Sequence, residues 1–192
     1  LLAMVWVPAL QAQDPGGKKA LSIAEYQVWR SISGAQISPN GEWVSWAYTH
    51  MRGDDTLHVV NPGTTAEHVV PFASGAEFSD DGNWVAYFVS LSFKEAEKAR
   101  ENDDPVLRKA ELMNLASGDK VTWDDASSFG FADGSSHFYV KKRKKDRSAD
   151  HDGTDLILRN LRQGYDELIG SVDQLGFDKA GTSLAYTVDA AD

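Results

Sequence analysis

A ten-residue pattern of hydrophobic and polar positions occurs four times along the chain. Its clearest copies are residues 37–46 (ISPNGEWVSW) and 78–87 (FSDDGNWVAY), and weaker copies are residues 131–140 (FADGSSHFYV) and 177–186 (FDKAGTSLAY). Each copy opens with a hydrophobic residue, continues through a polar turn and ends in an apolar run. Asn40-Gly41 and Asp81-Gly82 are typical of type I′ hairpin turns, in which both central residues have positive φ.

Spacing between the copies indicates the architecture. The copies begin 41, 53 and 46 residues apart, and strand repeats of about 40–50 residues are typical of β-propeller blades. The run after each turn is apolar on both faces, as expected for a strand packed between two neighbouring blades. Ser45, Ala86 and Ala185 occupy the same small-residue position and predict close approach of the blades there.

A second hairpin follows each of the first three copies. The predicted strand pairs are 56–60 with 67–71, 109–114 with 120–123, and 155–160 with 165–170. Each unit therefore has four short strands, which is one blade. The fourth unit reaches Asp192 after its first hairpin. We predict an all-β chain with a partial β-propeller of about three and a half four-stranded blades.

Two segments favour helices. Residues 21–31 (LSIAEYQVWRS) predict a short N-terminal helix, in which Ser22 and Glu25 have the spacing of a capping box. Residues 92–102 (SFKEAEKAREN) contain strong helix formers and the same spacing between Ser92 and Glu95. They predict one helical insertion in a loop of the second blade.

The first residues predict export. Leu1 to Leu10 is apolar but is too short for a bilayer, which takes about 20 apolar residues. It resembles the end of a secretory signal peptide with cleavage after Ala12, and a buried strand or a ragged fragment end is the alternative. We expect a truncated signal peptide at 1–13, a flexible lead-in at 14–20 and propeller blades at 21–192. The expected location is periplasmic or extracellular, with no stable membrane span.

Charge and composition narrow the classes of partner. The formal net charge is −10 and there is no cysteine, so disulfides and thiolate sites are excluded and nucleic acid is a disfavoured partner. Residues 141–147 (KKRKKDR) form a basic tract. In an acidic protein we interpret this tract as a strand end and a solvated loop that is balanced by acidic neighbours.

No residue pattern in the chain predicts catalysis, cofactor binding or a metal site. A Gly-x-Ser-x-Gly elbow, a phosphate-binding loop and a zinc-binding helix motif are all absent from the sequence. Residues 150–155 (DHDGTD) loosely resemble a calcium loop, but a polar turn is favoured. The five histidines are scattered along the sequence, so a metal site built from them is not expected (His50, His58, His68, His137, His151). The tryptophans of the repeat are expected to pack in the core (Trp43, Trp46, Trp84, Trp123).

The N-terminal segments carry a family resemblance. They are residues 22–26 (SIAEY), 29–34 (WRSISG) and 37–41 (ISPNG), with further similarity at 109–112, 153–159 and 186–192. These segments resemble the N-terminal propeller of exported bacterial serine peptidases of the prolyl oligopeptidase and dipeptidyl peptidase family. The turn motif alone is shared with the propeller of the periplasmic Tol system.

The resemblance implies a substrate-gating propeller that covers a C-terminal α/β-hydrolase domain. That domain carries the Ser-Asp-His triad, so the expected partners of this chain are peptide substrates and its own hydrolase domain. The chain contains no adjacent Glu pair, and release of N-terminal dipeptides is therefore unsupported. The alternative is a non-catalytic periplasmic propeller that acts as a binding or scaffold module.

Overall fold

Three antiparallel sheets follow one another along the chain. A computed structural model describes residues 22, 25, 29–145 and 148–190. The first blade has strands β1 (Arg30–Ile37), β2 (Val44–His50), β3 (Thr56–Asn61) and β4 (Ala66–Pro71). The second blade has β5 (Ala73–Phe78), β6 (Trp84–Ser90), β7 (Arg108–Asn114) and β8 (Lys120–Trp123). The third sheet has β9 (Ala126–Phe131), β10 (His137–Lys142), β11 (Thr154–Asn160), β12 (Asp166–Phe177) and β13 (Leu184–Val188).

Each sheet is a meander in which neighbouring strands are consecutive in sequence. The second hairpins predicted from the sequence correspond to β3–β4, β7–β8 and β11–β12, with bounds that agree within a residue or two except that β12 continues to Phe177. The prediction of an all-β chain with propeller blades is confirmed.

One residue with positive φ separates each unit from the next. These boundary residues are Phe72 (φ 60°), Asp125 (φ 55°) and Ser171 (φ 55°). Their carbonyl oxygens accept hydrogen bonds of 2.9, 2.7 and 2.9 Å from the N–H groups of Ser90, Arg143 and Asp189, respectively. Ser171 therefore divides β12. Its first part completes the third blade, and its second part pairs with β13 as the first hairpin of a fourth unit.

The turns between the first two strands of each blade differ from the expected type I′. Gly41 (φ 75°) and Gly82 (φ 67°) have positive φ, whereas the residues before them do not. Each turn is instead closed by a serine hydroxyl. The Trp43 N–H donates to the Ser38 hydroxyl at 2.9 Å, and the Trp84 N–H donates to the Ser79 hydroxyl at 3.0 Å. The type I′ prediction is wrong because this side-chain bond stabilises a longer loop.

Two hydrophobic clusters hold the blades together. The first lies between the first and second blades and includes Trp43, Leu57, Val85 and Tyr87. The second lies between the second and third blades; its buried members include Ala86, Leu112, Trp123, Phe138 and Val140. Core packing is thus confirmed for Trp43 and Trp123, while Trp46 and Trp84 are half-buried.

The predicted close approach of blades at the small-residue position is seen at two of its three residues. Ser45 and Ala86 are fully buried between blades. Ala185 is exposed, because no described strand packs against β13 on that side. Close blade approach at Ala185 is therefore not seen.

The helical insertion is confirmed as helix α1 (Phe93–Glu101). Ser92 is its N-cap and forms a complete capping box with Glu95. The predicted N-terminal helix falls mostly outside the described residues, as do residues 1–20 with the predicted signal peptide and lead-in. The Ser22 N–H donates to Glu25 at 2.6 Å, but Arg30 already belongs to β1, so a helix extending to Ser31 is wrong.

Candidate functional site

The blades expose two different faces. On one, which we call the turn face, lie the short loops 38–43, 79–83, 132–136 and 178–183 that join the first two strands of each unit. On the other, which we call the insertion face, lie the longer loops 51–55 and 91–107, the described residues 143–145 and 148–153, and the boundary residues. Since strands alternate in direction, loops of one kind meet at one end of the blades. The clefts described below open on the insertion face.

Hydrogen bonds link the turn-face loops from one blade to the next. Gly134 donates its N–H to Asp80 at 2.8 Å, and Asp81 donates its N–H to the Ser135 hydroxyl at 3.0 Å. The Ser136 hydroxyl donates to the Gly181 carbonyl at 2.7 Å. These bonds join the second blade to the third and the third blade to the fourth unit.

Helix α1 belongs to the second blade in sequence but docks on a loop of the first. The Asp54 carboxylate accepts the Phe93 N–H at 2.6 Å, which adds negative charge at the helix N-terminus where it is stabilising. Arg52 forms an ion pair with Glu97 at 2.9 Å, and its guanidinium lies 5.8 Å from the centre of the Phe93 ring. A cleft of about 350 Å³ lies beneath the helix, lined in part by Arg100.

A second cleft of about 360 Å³ lies in the insertion loop of the third blade. We call it the basic cleft; its lining includes Lys142, Arg143, Lys144, Lys145, His151 and Thr154. The Lys144 ammonium donates to the Asp152 carboxylate at 3.0 Å and lowers the pKa of that carboxyl. The arrangement concentrates positive charge in an otherwise acidic chain.

A carboxylate and a phenol lie near each other where the second and third blades meet. Burial raises the pKa of Glu77 on β5, and nearby Asp80 raises it further, although the Phe131 backbone opposes this. Burial also raises the pKa of Tyr139 on β10, with a contribution from the Glu77 charge. Tyr139 crosses the neighbouring strand at Gly130, where an added Cβ would lie 2.8 Å from its ring. The Glu77 charge thus favours the neutral form of the Tyr139 phenol across the boundary between these blades.

The histidines considered as metal ligands lie apart. His58 stacks on Trp46 with ring centres 5.2 Å apart and bonds Glu67 at 3.0 Å, while His68 stacks on Trp43 at 5.6 Å. His137 contacts Ser136. In the described part of the chain, no group of three or more His, Asp or Glu side chains is placed to hold a metal.

The predictions for the acidic segment at 150–155 and for the basic tract at 141–147 compare differently with the structure. Residues 150–153 lie in the loop before β11, as predicted for a polar turn. The basic tract begins as the end of β10, also as predicted. However, residues 142–145 line a cleft, and the interpretation as a simple solvated loop missed this. The missing information was spatial, because His151 and Thr154 close the cleft from the far end of the loop.

Sequence reasoning also missed the boundary residues, although the repeat contained them. Phe72, Asp125 and Ser171 each stand six residues before the phenylalanine that opens the next copy of the pattern. They share no side-chain chemistry, and only an alignment of the repeats on backbone conformation identifies them. Among described residues, no helix is long and apolar enough to cross a membrane.

No protein-family model and no curated protein matches the sequence. Solved structures do resemble the fold. The β-propeller domain of the Trilobed protease from Pyrococcus furiosus has a TM-score of 0.52 at 14% identity, covering 73% of this chain and 42% of that one. The Pyrococcus horikoshii acylaminoacyl peptidase has a TM-score of 0.53 at 13% identity, covering 87% of this chain and 29% of that one.

A further structure, an acylaminoacyl peptidase in complex with Z-Gly-Gly-Phe-chloromethyl ketone, has a TM-score of 0.53 at 12% identity and covers 87% of this chain and 29% of that one. The chain thus spans between 29% and 42% of the length of these structures. At such low identity the likeness establishes the fold alone. These three structures are peptidases of the group that the sequence resemblance predicted, and the chain has the β-propeller fold.

Proposed function

We propose that this chain is the propeller part of an exported serine peptidase of the prolyl oligopeptidase type. Its own role is to gate substrates and to support a hydrolase domain encoded downstream. The observation that carries the proposal is the structural likeness to propellers of peptidases at TM-scores of 0.52 and 0.53. The sequence resemblance at residues 22–41 supports the proposal independently, because it lies in the amino-acid sequence and not in the shape of the backbone.

The two faces suggest how such a propeller would be oriented. The turn-face loops are joined by hydrogen bonds between blades, although a cleft of about 460 Å³ also lies there beside Gly41 and Asn61. The insertion face carries α1 and the clefts that its long loops form. Loops on a rigid scaffold commonly carry binding functions. We therefore assign the insertion face to contact with the hydrolase domain and with peptide substrates.

Export is the other part of the proposal. It rests on the apolar residues 1–10 and on Ala12 as a small residue at the expected cleavage position. In a bacterial host that expresses the full gene, the mature protein should be recovered from the periplasm or medium. N-terminal sequencing should begin at Gln13. A cytoplasmic product that retains residues 1–12 would contradict export but leave the peptidase proposal intact.

The peptidase proposal is tested on the full-length protein. It should hydrolyse a chromogenic prolyl ester and become labelled by a fluorophosphonate, which reacts with an activated serine. The control is the same protein with the serine of its downstream Gly-x-Ser-x-Gly replaced by alanine. This variant should lose both the ester hydrolysis and the fluorophosphonate labelling. A gene without that motif downstream, or a protein inert to both reagents, would refute the proposal and favour a non-catalytic propeller.

A further inference from the structure

The basic cleft of the third blade has a net positive lining. Four consecutive cationic residues, 142–145, contribute to its wall, whereas Asp125 and Asp155 are the carboxylates among its lining residues. In a chain of net charge −10, such a local excess of positive charge creates a potential that attracts anions against the overall field.

Two of these four cationic side chains form hydrogen bonds within the chain, and the other two form none with described residues. Lys142 donates to the Asp124 carbonyl, and Lys144 donates to the Ala149 carbonyl and to Asp152, both at 3.0 Å. The side chains of Arg143 and Lys145 form no hydrogen bond or ion pair with any described residue. They also border a neighbouring cleft of about 580 Å³ that contains Asp103 and Asp104, yet no described ion pair forms across it.

Two further polar side-chain atoms in the same cleft are buried and form no hydrogen bond with any described residue. They are Nδ1 of His151 and Oγ1 of Thr154, and both residues line the cleft. A buried polar atom without a hydrogen bond costs about 1–3 kcal/mol, and such atoms in native proteins call for a missing partner. A hydroxyl, an imidazole and two free cations together form a donor set suited to an oxyanion.

The wall that carries His151 and Thr154 is held in place. The Asp152 N–H donates to the Asp189 carboxylate at 2.7 Å. At Gly153 an added Cβ would lie 1.9 Å from the Asp189 carbonyl oxygen and 2.5 Å from that of Ser171, so the backbone here packs directly on the fourth hairpin. The donors are therefore preorganised, which reduces the entropy lost on binding.

We infer that the basic cleft binds a carboxylate group of a peptide. The choice of an oxyanion follows from the donors of Arg143, Lys145, His151 and Thr154. The choice of a peptide rests on the proposed function, and the cleft volume of about 360 Å³ suits a carboxylate with one or two residues. The carboxylate comes from an acidic side chain or from the peptide C-terminus, and the test separates these sources.

The test is calorimetric titration of the full-length protein with the acetylated peptide Ala-Ala-Glu-Glu. We expect binding that weakens with added salt, as charge pairs do. A C-terminally amidated peptide that still binds identifies side-chain carboxylates, whereas a Gln-Gln peptide with a free C-terminus that still binds identifies the terminal one. If the amidated Gln-Gln peptide binds as well as the acidic peptide, carboxylate recognition is wrong. Absence of binding by every peptide also overturns it.

Variants of the chain localise the binding. Arg143→Gln combined with Lys145→Gln should weaken binding about tenfold or more, equivalent to one charged hydrogen bond. Arg162→Gln combined with Lys179→Gln on the turn face removes the same two positive charges from exposed side chains and should change affinity little. Equal loss in both would mean that only net charge matters, which overturns the inference.

Thr154→Val preserves shape and removes only the hydroxyl. It should weaken binding about threefold while far-UV circular dichroism stays unchanged, a loss within the range of one hydrogen bond, and it keeps the test valid if the double variant does not fold. Unchanged affinity in Thr154→Val would remove the cleft as the binding site. The readout is binding without turnover. A failure to bind these peptides therefore leaves the result of the peptidase assay unaffected, and a protein without peptidase activity could still bind them.

Discussion

Replacing Ser79 by alanine should destabilise the second blade measurably. Ser79 is fully buried, and its hydroxyl accepts the Trp84 N–H at 3.0 Å and donates to Asp81 at 2.6 Å. Without the hydroxyl, the Trp84 N–H loses its acceptor inside the loop, at a cost of about 1–3 kcal/mol. The Asp81 carboxylate is exposed and keeps its hydrogen bond to the Asn83 N–H at 3.1 Å. Loss of its bond to Ser79 therefore adds little to the free-energy cost.

The expected loss in the free energy of unfolding is thus about 2 kcal/mol. With a urea dependence of about 2 kcal/mol per molar, this loss lowers the unfolding midpoint by about 1 M. The assay is urea unfolding at low protein concentration, followed by tryptophan fluorescence. Ser183→Ala is the matched control, because Ser183 is exposed and its hydroxyl has no hydrogen-bond partner among described residues; its change should stay within about 0.5 kcal/mol.

The third blade shows how the same turn closes without a serine hydroxyl. Its turn has Ala132 at the equivalent position and uses positive φ at Gly134 (70°) and Ser135 (58°), so a blade turn closes there without the hydroxyl. If the second-blade loop relaxed to that conformation, Ser79→Ala would cost no more than Ser183→Ala. That result would refute the assigned role of the serine hydroxyl.

Three further outcomes are expected. Because the folded-state pKa of Glu77 is raised, wild-type stability should fall as pH rises through the interval from the ordinary glutamate pKa to that raised value. Glu77→Gln should flatten this dependence and gain less than about 1 kcal/mol at neutral pH, since the carboxylate is partly exposed; an unchanged urea-unfolding profile would contradict this. Gly181→Ala should cost about 3 kcal/mol in urea unfolding, from positive φ (62°) and a Cβ only 1.7 Å from the Asp133 carbonyl oxygen. Gly34→Ala has φ 58° but open space, so it should cost only about 1–2 kcal/mol; equal losses would exclude the clash. The 192-residue chain expressed alone should self-associate through exposed apolar side chains on its first and last units, such as Ile37 (68%) and Val188 (62%); a monomer by light scattering across concentrations would contradict this.

Local features of the fold were predictable because their determinants lie within a few residues. The capping box of α1 needs only Ser92 and Glu95, which are close in sequence. The strands alternate with turns at regular intervals, so the bounds of β3, β7 and β8 agree with the prediction to within a residue. The turn type was not predictable from Asn40-Gly41, because it depends on the hydroxyl of Ser38, which lies outside that pair.

Contacts between distant loops escaped prediction for a different reason. Asp54 receives the N-terminus of α1 from 39 residues away, and no local pattern marks it as a helix-capping residue. The basic cleft likewise depends on the path of the loop that returns His151 and Thr154 to residues 142–145. Composition indicated the positive charge there, but only the fold identifies which cations are left without partners.

The hydrogen bonds at the boundary residues have a consequence for how the chain is made. Phe72 bonds to Ser90, Asp125 to Arg143 and Ser171 to Asp189, and each pair is separated by the same 18 residues; the Thr49 hydroxyl reaches the Ser31 carbonyl over the same interval. Each junction therefore closes as soon as the next hairpin leaves the ribosome, without waiting for distant segments. Short closure distances favour rapid, ordered folding during synthesis. A propeller built this way grows blade by blade in the direction of translation, and its junctions are completed long before a ring is.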